Sequence, residues 1–163
     1  MNILIFGGAG FVGRHYSEYF LKKNDFVKII DNIAPLSGGI HPKKWKLFSP
    51  YKFNKKFKFL NQDCRKFFKN RLEKKYDLVI NLAAIVGGRE VIENNPLAVA
   101  EDLEIDTAFW RWVVKNKKKI RHVITYSSSA AYPVNLQTKK NYRLLKEQDI
   151  DFSKDNLGKP DLS

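Results

Sequence analysis

The start of the chain constrains its fold most: Asn2-Ile3-Leu4-Ile5-Phe6 runs directly into Gly7-Gly8-Ala9-Gly10-Phe11-Val12-Gly13. A short apolar run bounded by glycines reads as a buried strand. The glycines satisfy both G-x-G-x-x-G (Gly8, Gly10, Gly13) and G-x-x-G-x-x-G (Gly7, Gly10, Gly13), and an amphipathic helical segment follows to about Lys22. A turn without side chains lets backbone N–H groups approach a phosphate, and the helix N-terminus behind it favours negative charge. Asp31, eighteen positions past Gly13, ends a second apolar run, Phe26 to Ile30. In that strand, turn and helix context the motif reads as a dinucleotide site.

Alternation continues along the chain. A long insertion with Pro and Gly spans Asn32 to Lys56, and Phe57 to Leu60 reads as a third strand. Arg65 to Lys74 has helical spacing, and Asp77 to Leu82 is a near-continuous apolar run suited to a central parallel strand. Pro96, favoured at a first helical position, opens a helix to about Lys115. Ala100, Leu103, Thr107, Trp110 and Val114 share one of its faces, and Trp110 and Trp112 are expected in the core. His122 to Tyr126 makes a fifth strand that delivers Ser127-Ser128-Ser129. Five strands alternating with helices predict an α/β fold, a doubly wound parallel sheet of the Rossmann type. Ligands bind such sheets at the carboxyl ends of the strands. The Gly7 turn, Asp31, Asp63, Asn81 to Gly88 and Ser128 all fall there.

With 163 residues the chain suits one domain. No apolar run approaches the roughly 20 residues of a membrane span, and no secretory leader is evident, so a cytoplasmic protein is expected. Cys64 is the single cysteine; it reads first as a small buried side chain. The net charge of +13 invites nucleic-acid binding. However, twenty-three of the thirty basic residues are Lys, accompanied by thirteen Asn, the bias of an A/T-rich genome. The densest cluster, Lys43 to Lys58, is interleaved with Trp45, Phe48, Tyr51, Phe53 and Phe57. It reads as a surface loop ahead of a nucleic-acid contact.

Taken in order, the glycine turn, Asp31-Asn32, Asp63, Asn81-Leu82-Ala83-Ala84 and Ser127-Ser128-Ser129-Ala130-Ala131-Tyr132-Pro133 resemble the extended short-chain dehydrogenase/reductase family. More narrowly, the chain is similar to the NAD-dependent epimerase/dehydratase branch that acts on nucleotide sugars. Ala84 to Gly88 and Tyr132-Pro133 are similar to GDP-fucose synthases and GDP-mannose 3,5-epimerases. The resemblance implies NAD as cofactor and a nucleotide sugar as substrate. It puts Gly7, Gly10, Phe11, Val12 and Gly13 at the pyrophosphate, Asp31 with Asn32 at the adenosine ribose, and Asp63 with Cys64 at the adenine. Leu82, Ala83 and Ala84 would line the cofactor, and Gly87 and Gly88 would lie near the sugar. Ser128, four residues before Tyr132, would be the catalytic hydroxyl, with Ser129 in its place if the register slips by one. No metal is implied. Asp31 would repel a 2′-phosphate and so favours NAD over NADP, although Arg14 offers an extra phosphate a partner.

Two departures from the family pattern stand out. Where relatives often carry Asn in the helix after the fourth strand, this chain has Asp102 or Leu103. The family's Tyr-x-x-x-Lys is missing from its place, since relatives carry it after a segment much like Gly158 to Ser163. Tyr142 with Lys146 has the spacing but lies too close to Ser128. The expectation is therefore the N-terminal, cofactor-binding part of an epimerase/dehydratase (residues 1–163), lacking the last strands and the substrate domain, and inactive alone. It would work as a homodimer, paired with a C-terminal half, or as a pseudoenzyme beside a full-length relative. The alternative is a non-catalytic Rossmann module that binds RNA or another acidic partner through its Lys-rich surface.

Overall fold

A computed structural model describes residues 1–85, 94–127, 132–133, 136, 140 and 143–149. Met1–Thr125 forms one compact unit and Tyr126–Ser163 another. The first contains five parallel strands in the order β3-β2-β1-β4-β5: β1 (Asn2–Phe6), β2 (Phe26–Asp31), β3 (Phe57–Asn61), β4 (Tyr76–Asn81) and β5 (Ile120–Thr125). Helices α1 (Phe11–Lys22), α2 (Cys64–Phe68) and α3 (Pro96–Lys115) connect them. The strand order reverses between β1 and β4, where a doubly wound sheet opens its ligand crevice.

Strand periodicity divides the core. Ile3 and Ile5 of β1 face α1 together with Phe20, Leu21, Val27 and Ile29. Leu4 and Phe6 face the opposite layer with Phe68, Phe109 and Trp112. Each large side chain so buried contributes about 1.5–3 kcal/mol relative to exposure. Helix α1 ends where Asn24 adopts a left-handed conformation (φ 66°). The N–H groups of Asn24 and Asp25 return to the Leu21 and Phe20 carbonyls, a closure that Asn tolerates well.

Three expectations are corrected. Helix α2 covers only Cys64–Phe68, because the chain leaves it to bring Leu72 into the core; Asn116 Oδ1 accepts from Leu72 N at 2.8 Å and Trp112 donates to Asn70 O at 3.0 Å. Strand β5 begins at Ile120, earlier than the apolar run suggests, because parallel register pairs it with Tyr76. The predicted inner face of α3 is its outer one. Ile105, Phe109 and Trp112 turn inward, while Leu103, Trp110 and Val114 are 64%, 48% and 68% exposed.

The insertion after β2 packs on the α1 side of the sheet. Trp45 and Phe57 are buried there, with Phe48 and Phe53 packed against the same cluster. These aromatics pack with the core on that side of the sheet. Among the described residues of the second unit, Arg143 pairs with Asp149 at 2.7 Å, Asp149 ending the 3-10 turn Glu147–Asp149. No helix among the described residues is long and apolar enough to cross a membrane.

Candidate cofactor site

The glycine turn is held from two sides. Gly7 has φ +71°, and a Cβ there would lie 2.5 Å from the backbone carbonyl of Leu82. Its N–H donates to Ile30 O at 3.0 Å, while Leu82 N donates to Phe6 O at 2.9 Å. The turn is thus clamped between the exits of β2 and β4. A Cβ on Gly13 would meet the Gly8 backbone at 2.5 Å, and one on Gly8 would meet the Ile29 side chain at 2.7 Å. Gly10 differs, because its Cβ would touch only Gly7 O at 3.4 Å. Gly10 is also the N-cap of α1 and supplies no side-chain cap. The first N–H groups of the helix, from Phe11 to Gly13, therefore receive no cap from a Gly10 side chain. Protein packing demands the other glycines; the open Gly10 leaves room for a ligand.

Asp31 is buried at the end of β2. Its Oδ2 accepts from Ala9 N at 2.9 Å and its Oδ1 from Ile33 N at 2.7 Å. The carboxylate thus ties the glycine turn to the start of the insertion. A carboxylate offers about four acceptor sites, so two remain for hydroxyl donors. Among the described residues no cation pairs with it. Next to it Asn32 is exposed and accepts from Ala34 N at 3.2 Å. Ile33 holds φ +51°, a strained conformation for a β-branched residue.

Asp63 caps α2, accepting from Arg65 N at 2.8 Å. Arg65 also clasps the same carboxylate with Nε and Nη2 and reaches Glu104 of α3 at 2.7 Å. The Arg65 side-chain hydrogen bonds hold Asp63 below the usual carboxylate range. Stability from such a group is complete above its unfolded pKa and is lost as pH falls through the depressed folded one. Arg65→Met is expected to raise the Asp63 pKa back toward the ordinary carboxylate range in an NMR titration and to cost about 1 kcal/mol at pH 7, the scale of a partly exposed ion pair. Cys64 is buried, and desolvation pushes its thiol up to about 12. It is therefore a packing residue rather than a nucleophile.

After β4, Ala83 N donates to the side chain of buried Asn81 at 3.3 Å, and Ala83 packs on the α2 and α3 side of the core. Ile85 N donates to Asp102 Oδ1 at 2.8 Å. Of the two candidates on α3, Asp102 supports this loop, and Leu103 faces outward. Gly87, Gly88, Ser128, Ser129 and Tyr142 lie outside the described residues; Ala84 and Ser127 lie within them. Two further occurrences of Tyr-x-x-x-Lys escape the reading from sequence. Tyr19 and Lys23 lie at the end of α1, with the Lys23 ammonium 4.4 Å from the Tyr19 ring centroid, and Tyr51 and Lys55 precede β3. Both pairs lie toward the amino ends of the strands, away from the glycine turn. Arg65 was also missed, although the Asp-x-Arg spacing at a helix start is a usable signal. No cluster of potential metal ligands occurs among the described residues.

Known proteins are similar to this chain in sequence and in fold. An uncharacterized protein of Methanocaldococcus jannaschii is 29% identical over 138 residues, which are 82% of this chain and 41% of that protein. The UDP-N-acetylglucosamine 4-epimerase of Methanobrevibacter ruminantium superimposes with a TM-score of 0.66 at 26% identity, over 91% of this chain and 43% of that one. A dTDP-glucose 4,6-dehydratase double mutant of Streptomyces venezuelae, solved with NAD bound, shares the fold, with a TM-score of 0.64 at 18% identity over 82% and 41% of the two chains. The chain thus spans about two fifths of the length of these proteins. The model of the NAD dependent epimerase/dehydratase family matches residues 3–150. The chain therefore belongs to the NAD dependent epimerase/dehydratase family.

Proposed function

We propose that this chain binds NAD across the carboxyl end of its sheet and forms the cofactor-holding part of a nucleotide-sugar epimerase or dehydratase. The observation that carries the reading is the contrast among the glycines. Three are required by neighbouring protein atoms, whereas a Cβ on Gly10 would meet only Gly7 O, at an uncapped helix start near the buried Asp31 carboxylate, which has no ion-pair partner among the described residues. That donor and acceptor set fits a pyrophosphate flanked by a ribose.

In this reading the N–H groups of Phe11, Val12 and Gly13 bind the pyrophosphate, and the free lone pairs of Asp31 accept the ribose hydroxyls, with Asn32 beside them. Asp63 and Cys64 border the adenine, and Leu82, Ala83 and Ala84 line the rest of the cofactor. When bound, NAD would supply reversible hydride chemistry at a sugar carbon. From the family resemblance, Ser128, or Ser129, would hydrogen-bond the sugar oxygen, and Gly87 and Gly88 would lie near the sugar. The negative charge of Asp31 excludes a 2′-phosphate, so NAD is preferred over NADP despite Arg14.

Calorimetric titration of the chain with NAD and NADP tests this. NAD is expected to bind about tenfold or more tightly than NADP, and Asp31→Ala to weaken NAD by a similar factor, the loss of one or two hydrogen bonds to a charged acceptor. A thermal melt of the variant checks that the turn remains folded. Absence of saturable NAD binding, or NAD binding undiminished in Asp31→Ala, would sink the reading.

A further inference from the structure

Between the flank of α1 and the insertion after β2 lies a cavity of about 510 Å³. Small-molecule sites typically run roughly 300–1,000 Å³. Phe11 and Arg14 reach it from α1, and Lys44, Trp45, Lys46 and Phe48 from the insertion. Of these it shares only Phe11 with the cofactor residues assigned above.

The cavity has an aromatic wall and a cationic rim. Trp45 and Phe48 lie with ring centroids 6.4 Å apart, and the Trp45 indole N–H is anchored to Ile40 O at 2.7 Å. Apolar surface faces water at the mouth, where Phe11 is 70% and Leu47 96% exposed. Among the described residues Glu18 is the one carboxylate lining the cavity, and Lys22 pairs with it at 2.8 Å. Lys44 and Lys46 make no ion pair among the described residues. Arg14 spends Nε on Gly10 O at 3.3 Å. Its two terminal nitrogens have no hydrogen-bond partner within the described residues. Three cations thus line an apolar recess with no uncompensated anion among its described residues.

We propose that this recess is a second ligand site for a small aromatic phosphate monoester, its ring against Trp45 and Phe48 and its phosphate among Arg14, Lys44 and Lys46. Aromatic walls favour a flat ring by area burial and stacking. Ammonium and guanidinium donors give a phosphate charge-assisted hydrogen bonds. The site stands independently of the cofactor reading, since its walls come from the outer flank of α1 and from the insertion. It also adjoins the glycine turn: Arg14 holds the Gly10 carbonyl, and Ile40 N donates to Ala9 O at 3.0 Å.

Phenyl phosphate, titrated into the full chain with and without saturating NAD and followed by tryptophan fluorescence and ligand-observed NMR, provides the test. Saturable binding is expected in both conditions. Phenol, which lacks the charge, and inorganic phosphate, which lacks the ring, should each bind about tenfold or more weakly. The exposed double variant Lys44→Glu with Lys46→Glu should lose phenyl phosphate by at least the same factor while its melting temperature and its NAD titration stay unchanged. Phenyl phosphate binding that is absent, is displaced competitively by NAD, or is unaltered in the double variant would overturn the proposal. A chain that binds phenyl phosphate in this way but not NAD would support this site and count against the cofactor reading alone.

Discussion

Gly7→Ala is expected to cost the fold about 3 kcal/mol or more in urea denaturation, whereas Gly10→Ala should shift stability by less than about 1 kcal/mol yet abolish NAD binding. The first figure combines two effects. A non-glycine residue at φ +71° pays about 1–2 kcal/mol. The added methyl would lie 2.5 Å from the Leu82 carbonyl carbon and oxygen, so the exit of β4 must move. Overpacking against such atoms typically costs a further 1–3 kcal/mol. Gly10 sits at φ −70°, ψ 177°, a conformation open to any residue, and its methyl would meet protein only at 3.4 Å. Its effect therefore appears in ligand affinity and not in folding. Equal destabilisation by the two substitutions would show that the clamp at Gly7 is not what holds the turn.

Trp112→Ala is expected to destabilise the chain by about 3–5 kcal/mol, the usual cost of removing a buried large aromatic. A domain of this size has about 5–15 kcal/mol in total, so the variant should be largely unfolded well below the native melting temperature. Trp112 is 1% exposed and lies within 5.4–6.2 Å, centroid to centroid, of Phe6, Phe67, Phe68 and Phe109. Its truncation also leaves Asn70 O without its donor. Trp110→Ala, two positions away, should cost less than about 1 kcal/mol, because that ring is 48% exposed and touches Phe109 edge-on. Comparable losses in the two variants would mean that α3 packs through both faces.

The two tryptophans show where the sequence stops being decisive. Helix α3 carries Leu103, Ile105, Phe109, Trp110, Trp112 and Val114, so apolar residues occupy more than one face and periodicity alone cannot say which is buried. Phe6 and Phe68 make the choice, through contacts that span most of the unit. The same holds for α2, whose helical spacing continues past Phe68 although Asn116 and Trp112 draw the chain away. Asp63 illustrates it at the site: its position after β3 is legible, but its clasp by Arg65 and the link to Glu104 emerge only in three dimensions.

By itself, the sequence determined the parallel sheet, the glycine turn and the placing of Asp31, Asp63 and Asn81 at strand ends. Those follow from local sequence: short apolar runs alternating with helical segments, a side-chain-free turn and a helix directly behind it. The tertiary structure decided which glycines protein atoms require, which face of α3 is buried, and that the insertion folds onto α1 to leave a recess beside Arg14. Each of these depends on atoms brought together from distant parts of the chain, and close packing settles them because a methyl group either fits or does not.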